Sequence, residues 1–241
     1  MKNQKTIKNR SFFFLISFLF LTSLLNIKTL KKVNIHDIRI SGSSLYSKND
    51  VVNNSSLKLP TRLIFVKTNL LEKELKQNLS LKNVSVNREL FPFGLKLYIN
   101  TRIPVAYAER IIKNEKILGF IDKDGIFINK HNVDKKNLKK LTLQVFGWKE
   151  KFKKILSEIF IALDNYEFEI VKITFSPDGF LTVEEKDLKT IYLGFKPDLI
   201  SYQLQIINNL KNEFKKNNFS IKIDNIDLTK PNKPKIKVFK P

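Results

Sequence analysis

The side chains that could do catalytic chemistry are few in this 241-residue chain, and their spacing does not bring them together. Of the two histidines, His36 lies in an alternating apolar segment and His131 lies in a polar loop. Glu184 and Glu185 are adjacent in a predicted strand, so their side chains should point to opposite faces of a sheet. The sequence contains no glycine-rich phosphate loop, zinc-ligand spacing or nucleophile elbow. We therefore predict that the protein is not an enzyme and has no catalytic residue and no cofactor.

The two carboxylates Asp122 and Asp124 could begin a calcium-binding loop, because Ca²⁺ prefers oxygen ligands at such spacing. Such a loop needs a Glu at its twelfth position, where Val133 stands. The Asp124-Gly125 pair instead lies between two apolar runs, which is typical of a β-hairpin turn. Cysteine is absent, which excludes thiol chemistry, disulfides and cysteine-ligated metals. We expect a hairpin here and no metal site.

The chain is strongly basic, with a formal net charge of +21 at pH 7. Such a charge can indicate a nucleic-acid or anionic-lipid partner. The lysines are spread along the whole chain, however, and arginine, the residue that reads bases and phosphates in a bidentate manner, is rare. We interpret the excess charge as a solvated surface and predict no nucleic-acid partner.

Residues 83–108 contain apolar runs of period two on both sides of the break Phe91-Pro92-Phe93-Gly94. After the break, apolar residues occupy odd-numbered positions from Leu95 to Tyr107. Alternation of this kind predicts strands with one buried face, and the Pro-x-Gly break predicts a hairpin. We therefore expect a strand, a tight turn and one long strand that ends in Arg102-Ile103-Pro104-Val105-Ala106.

Residues 12–27 are almost continuously apolar, with basic residues on both sides. Side chains of this kind favour insertion into a bilayer by roughly 4–6 kcal/mol before polar costs. No small-x-small cleavage site follows, which argues against a signal peptide, and the segment lacks the polar face of an amphipathic core helix. We predict a cytoplasmic tail over residues 1–10 and a single transmembrane helix over residues 11–30, with the remaining chain outside the cytoplasm.

The sequence after the predicted transmembrane helix indicates a small domain with the order β-α-α-β-β. We expect a strand over residues 33–41, a short helix opened by a capping box at Ser47, and a second helix with a cap signal over residues 69–72. Three leucines should share one face of that second helix. They are Leu71, Leu75 and Leu79. The hairpin described above closes the domain.

The rest of the chain predicts a mixed β domain with two helices, so the fold class is α+β. Pro104 has no backbone N–H and indicates a boundary there, which places the two domains at residues 33–103 and 104–241. An apolar stripe from Phe152 to Leu163 predicts the first helix. The stripe of a longer helix consists of Leu199, Gln203, Ile206, Leu210 and Phe214. We expect the last strand over residues 235–239.

The anchor and the β-α-α-β-β order resemble the bacterial cell-division family FtsQ, called DivIB in some groups. The matching residues are Ile38-Arg39-Ile40-Ser41-Gly42, Ser47 to Val52, Val84 to Arg88, Phe91-Pro92, Arg102-Ile103-Pro104-Val105-Ala106 and Ile226-Asp227-Leu228. The resemblance implies a polypeptide-transport-associated (POTRA) domain followed by a β domain. Thr101 and Thr229 depart from the family pattern, which usually has an acidic residue and an Arg at these places.

The resemblance also implies a function. The implied function is that of a non-enzymatic scaffold of the divisome, which supports septum formation. The protein would cross the plasma (inner) membrane once, with its amino terminus in the cytoplasm. In this family the end of the β domain recruits two small coiled-coil division proteins, FtsB and FtsL, and so connects indirectly to the septal peptidoglycan synthase. An alternative is a POTRA-containing chaperone or transport module for envelope proteins, although that role usually uses several such domains.

By the same resemblance, the last two strands of this chain should bind the FtsB-like and FtsL-like partners. A terminal strand can also present an unpaired edge that accepts a partner strand. The candidate residues, a mixture of core and contact positions, are Ile226, Leu228, Ile236, Val238 and Phe239. We interpret Arg102, Pro104 and Ala106 as a motif at the junction of the two domains.

Overall fold

The computed structural model describes residues 12–23, 31–138, 141–216 and 223–239. The chain divides into two compact units, Met1–Thr101 and Arg102–Pro241. Residues 12–23 are helical and form α1. No helix within the described ranges is both long and apolar enough to cross a membrane. Residues 11 and 24–30 of the predicted transmembrane helix lie outside the described residues.

After α1, the first unit contains a three-stranded sheet and two further helices in the order that the sequence predicts. Its elements are β1 (Lys32–Val33), β2 (Ile38–Ser41), α2 (Lys48–Asn53), β3 (Thr61–Arg62), α3 (Thr68–Asn78), β4 (Asn83–Leu90) and β5 (Phe93–Asn100). In the main sheet β5 is central, parallel to β2 and antiparallel to β4. The short strands β1 and β3 pair with each other in a separate two-stranded sheet.

Local sequence signals explain both helices of this unit. Ser47 and Asp50 form the predicted capping box: the Asp50 N–H donates to Ser47 Oγ at 3.2 Å, and the Ser47 N–H donates to Asp50 Oδ2 at 2.7 Å. These bonds satisfy backbone donors that the first helical turn leaves free. The three leucines predicted to share one face of α3 are all buried in the core of the unit.

Two predictions for the first unit are wrong in detail. The expected strand over residues 33–41 is interrupted by a 3₁₀ turn, Ile35–Asp37, in which the Asp37 carboxylate accepts the Asn34 N–H at 2.8 Å. The expected cap signal over residues 69–72 lies inside α3, which begins at Thr68. Glu72 instead accepts the Val86 N–H of β4 at 2.7 Å. Its carboxylate therefore connects the helix to the sheet, a role that local spacing does not reveal.

The hairpin over residues 83–108 also differs from the prediction. β4 and β5 form the expected hairpin, but β5 ends at Asn100, and the next strand, β6 (Pro104–Ile112), belongs to the second unit. The predicted buried face does not continue, since Ile103 and Tyr107 are exposed while Ala106 and Ala108 are buried. Thr101–Ile103 is unpaired, so the alternation restarts in β6 with even-numbered residues facing the core.

The second unit is built on a nine-stranded sheet with the spatial order β14-β13-β12-β11-β10-β9-β6-β7-β8. The further strands are β7 (Glu115–Asp122), β8 (Phe127–Asn129), β9 (Gln144–Phe146), β10 (Ile170–Phe175), β11 (Leu181–Glu185), β12 (Lys189–Gly194), β13 (Ile223–Asp227) and β14 (Lys235–Val238). The pairs β9–β10 and β12–β13 are parallel, so each needs a crossover connection. Helices α4 (Lys153–Asn165) and α5 (Ile200–Lys216) provide these crossovers.

Both helices pack against the core with residues of their predicted stripes, but the most deeply buried face of α5 differs from the prediction. The buried residues of α4 include Ile155, Leu156, Ile159 and Phe160. In α5 the buried residues are Ile200, Gln203, Leu204, Ile207 and Lys211. Of the predicted α5 stripe, Gln203 is fully buried, and Ile206, Leu210 and Phe214 are half-buried and pack against the core. Leu199 lies in the 3₁₀ helix that precedes α5. The predicted stripe therefore lies along one side of the buried face and omits Lys211, a polar residue that belongs to that face.

Candidate functional site: the terminal strand of the large sheet

The β13–β14 hairpin ends the sheet, and its turn is fixed by side-chain bonds. Asp227, the last residue of β13, accepts the Thr229 N–H at 2.9 Å and the Thr229 hydroxyl at 2.6 Å. The Thr229 side-chain bond, followed by the backbone bond, lowers the pKa of Asp227. Thr229, one of the two departures from the family pattern, thus has a structural role in this turn.

Helix α5 holds the base of this hairpin. The side chain of Gln203 is fully buried, and its Nε2 donates to the carbonyl of Leu193 at 2.8 Å and to that of Leu228 at 2.7 Å. The first carbonyl belongs to β12 and the second follows β13, so one amide ties the helix to two strands. Because buried backbone carbonyls need a partner, this contact fixes the position of the hairpin on the sheet.

The last strand, β14, is exposed along its whole length and lies at the end of the strand order. Its inner side pairs antiparallel with β13, and Ile236 stands opposite the buried Ile226. Residues that stand opposite each other share a face of the sheet, so Ile236 continues the core-facing row beyond the covered region. Lys237, on the other face, forms an ion pair with Asp224 at 3.2 Å.

The five candidate residues divide into two groups. Ile226 and Leu228 are fully buried and belong to the core of the second unit. Ile236, Val238 and Phe239 are 40%, 43% and 58% exposed. The first two residues therefore stabilise the hairpin, and the other three are accessible to a partner. Within the described part of the chain no strand pairs with the outer edge of β14. Such an edge offers backbone donors and acceptors for an added strand.

The predicted junction motif has a structural explanation within the second unit. Arg102 is buried and forms an ion pair with Asp122, which is buried as well, and with Asp124 at 3.2 Å. The other oxygen of Asp122 accepts the Ile126 N–H at 2.9 Å, so the predicted Asp-Gly hairpin between β7 and β8 is formed. Pro104 is the first residue of β6, and Ala106 is fully buried.

This arrangement joins the first residue of the unit to the β7–β8 turn. Gly125 in that turn has a φ of +72°, and a Cβ there would lie 2.4 Å from the carbonyl oxygen of Lys153. Only glycine combines this backbone conformation with so close an approach. The motif therefore positions the turn against the start of α4 and does not present a surface for a ligand.

A buried ion cluster between β11 and α5 was not predicted. Glu185 is almost fully buried; its carboxylate accepts the backbone N–H groups of Glu169, Asp187 and Leu188 and the ammonium group of Lys211. Desolvation lowers the pKa of Lys211, but hydrogen bonds and charges from Asp187 and Glu185 outweigh it, so the pKa is raised. A signal was present in the sequence, since Glu185 alternates with the apolar Leu181 and Val183 on one face of β11.

The remaining polar candidates are not brought together. His36 and His131 are both exposed and belong to different units. The backbone carbonyl of His36 accepts the Lys48 ammonium at 3.0 Å. Glu184 pairs with Lys172 at 2.8 Å on the face opposite Glu185, as the alternation of a strand requires. Among the described residues, no group of three His, Asp or Glu side chains could hold a metal ion.

Comparison with known proteins identifies the first unit. Residues 33–102 match the family model described as the POTRA domain, FtsQ-type. Residues 33–102 therefore form an FtsQ-type POTRA domain. The match supports the resemblance to the FtsQ/DivIB family and indicates a role in cell division. It ends at Arg102, the first residue of the second unit. A search of curated proteins finds no match to the chain.

Proposed function

We propose that this protein is a non-enzymatic scaffold of the divisome, held in the plasma membrane by a single helix over residues 11–30. The amino terminus lies in the cytoplasm, and the POTRA domain and the β unit lie outside it, at the division septum. The FtsQ-type POTRA domain supports the assignment to cell division. The recruiting role rests on one observation: β14 is an exposed edge strand, and Ile236, Val238 and the following Phe239 are accessible apolar residues.

The proposed mechanism is strand addition. A segment of the partner pairs with the outer edge of β14 and extends the sheet, so that main-chain hydrogen bonds supply affinity. Side chains of the added strand cover Ile236 and Val238, which continue the core-facing row. On the resemblance stated above, the partners are FtsB-like and FtsL-like coiled-coil proteins, which connect the scaffold indirectly to the septal peptidoglycan synthase.

The variant Val238→Asp tests this mechanism, because an added strand would bury the new carboxylate without a partner. Capture of the FtsB-like and FtsL-like partners from membranes should weaken at least tenfold, about 1.4 kcal/mol of binding free energy. Leu118→Asp is the matched control: Leu118 is 65% exposed and lies in β7, near the other end of the same sheet. Capture by this control should match that of the unaltered protein.

Equal capture by Val238→Asp and the unaltered protein would show that β14 is not the recruiting edge. A second experiment tests the cellular role separately. A fluorescent fusion of the full chain should concentrate at the septum during constriction. A uniform distribution around the envelope throughout constriction would refute the divisome assignment, whatever the pull-down gives.

A further inference from the structure

The POTRA domain exposes a cluster of large apolar side chains beside α3. Ile64, Phe65 and Leu70 are 55%, 66% and 42% exposed. A 3₁₀ helix, Leu63–Phe65, places Leu63 and Val66 in the core. Because a 3₁₀ helix has three residues per turn, positions i and i+3 share a side, so burying these two turns Ile64 and Phe65 outward. Large exposed apolar side chains that lie close together are typical of contact surfaces.

The cluster borders a cavity of about 210 Å³, whose apolar lining includes Leu57, Phe65 and Leu70. Lys58 and Lys67 also line the cavity, and no acidic residue does so. The Arg62 guanidinium lies 6.0 Å from the centre of the Phe65 ring. We call this surface the basic–apolar patch; it comprises Lys58, Arg62, Ile64, Phe65, Lys67 and Leu70.

The charge of the patch is not neutralised by its surroundings. Residues 56–71 contain three basic residues and no acidic one. Within the described residues, none of these three basic side chains forms an ion pair. The nearest acidic residues in the sequence are engaged elsewhere, since Glu72 accepts the Val86 N–H and Glu74 accepts the Ser56 N–H. By contrast, Arg39 on the sheet of the same unit pairs with Glu89 at 2.7 Å.

We propose that the basic–apolar patch docks the POTRA domain on the surface of an anionic lipid bilayer. Ile64, Phe65 and Leu70 enter the boundary between headgroups and acyl chains, and the three cations meet lipid phosphates. Charge complementarity favours an anionic bilayer as the occupant, because the three cations of the patch have no acidic partner in the part of the chain that the structure describes. A groove for a neutral partner helix would not need these cations. The inference rests on the membrane anchoring proposed above, which keeps this domain near a bilayer, but not on partner capture by β14.

The absence of cysteine permits a direct test in the full-length protein, because one introduced cysteine can carry a spin label. The label is placed in Ile64→Cys and, as a control, in Tyr98→Cys. Both native side chains are 55% exposed on the same domain, and Tyr98 lies on β5 outside the patch. The protein is reconstituted in phosphatidylcholine vesicles with and without phosphatidylglycerol. Collisions with oxygen, which concentrates in the bilayer, and with a water-soluble nickel complex then report the location of each label.

With phosphatidylglycerol present, the label at position 64 should become accessible to oxygen and shielded from nickel, whereas the label at position 98 should stay in water. Adding Lys67→Glu should reduce the bilayer-bound fraction on the order of tenfold at low salt, since basic charges near an anionic surface favour binding several-fold each. Lys82→Glu, an identical charge change at an exposed site outside the patch, should have little effect.

Three results would overturn the proposal in distinguishable ways. If the protein floats with the vesicles but the label at position 64 stays nickel-accessible, the patch does not dock on lipid and the anchor proposal stands. If the full chain does not float with vesicles at all, both proposals fail. Shielding from oxygen and nickel alike, in both vesicle types, would show that protein covers the patch, from the same chain or a second copy, and would also refute lipid docking.

Discussion

Replacing Lys211 by Met should destabilise the second unit far more than its single position on a helix surface suggests. The side chain of Lys211 is 9% exposed and its ammonium lies 2.5 Å from the Glu185 carboxylate, whose side chain is fully buried. Met has a similar length and helix propensity, so the substitution removes the charge with little change in packing or helix stability. The carboxylate of Glu185 would then remain buried without its cation.

The expected loss of unfolding free energy depends on the hydrogen bonds that Glu185 keeps in the variant. Removing one partner of a buried ion pair costs about 3–5 kcal/mol. Three backbone N–H groups, from Glu169, Asp187 and Leu188, still donate to the carboxylate, so we expect the lower end, about 3 kcal/mol. Because the folded-state pKa of Lys211 is raised, its contribution is fully present below the unfolded pKa and is lost as pH rises through the folded pKa.

Guanidinium unfolding followed by tryptophan fluorescence measures this loss. Trp148 is the only tryptophan and is buried in the second unit, so its signal reports that unit. Lys215→Met is the matched control on the same helix, since Lys215 pairs with Glu167 through side chains that are 55% and 77% exposed. An exposed pair of this kind is screened by water and contributes little to stability. Equal losses in the two variants would refute the argument from burial.

Three further predictions concern local contacts. Arg102→Met should lower the free energy of unfolding of the second unit by about 3 kcal/mol, measured by the same fluorescence, because Asp122 loses its buried cation; a loss below about 1 kcal/mol would contradict this. Thr229→Val should raise the pKa of Asp227 in an NMR titration; since that pKa is lowered in the native turn, the stabilisation exists above the unfolded pKa and disappears as pH falls through the folded pKa. Ser47→Ala should destabilise the POTRA domain by about 1 kcal/mol, measured by circular dichroism, because α2 loses its cap; an unchanged midpoint would contradict the capping role.

Comparison of prediction and structure shows which kinds of signal are reliable in this chain. The capping box at Ser47, the leucine face of α3 and the hairpin turn at Gly125 were all predicted, because each depends on residues close together in sequence. The prediction of one long strand through Arg102 was wrong, because the apolar alternation of the sequence continues across a segment that is unpaired in the structure. Alternation alone does not reveal that two strands belong to different units.

Contacts between residues that are distant in the sequence could not be predicted from its patterns. Glu185 and Lys211 meet only because α5 crosses over to bring β13 beside β12, which places one face of the helix over the end of β11. The same cause explains why the predicted face of α5 omitted Lys211, which is buried. A polar residue on a helix is normally assigned to the solvent side, and only its partner on the sheet shows otherwise.

The sequence by itself determined the β-α-α-β-β order of the POTRA domain, the two helices of the second unit and the presence of a last strand, since propensity, capping and alternation are local properties. Only the tertiary structure decided that β14 lies at the end of a nine-stranded sheet, with Ile226 and Leu228 buried and Ile236, Val238 and Phe239 accessible. The physical reason is that burial depends on what covers each face and edge. Strand order and helix packing determine which faces and edges are covered, and the spacing of residues along one strand reveals neither.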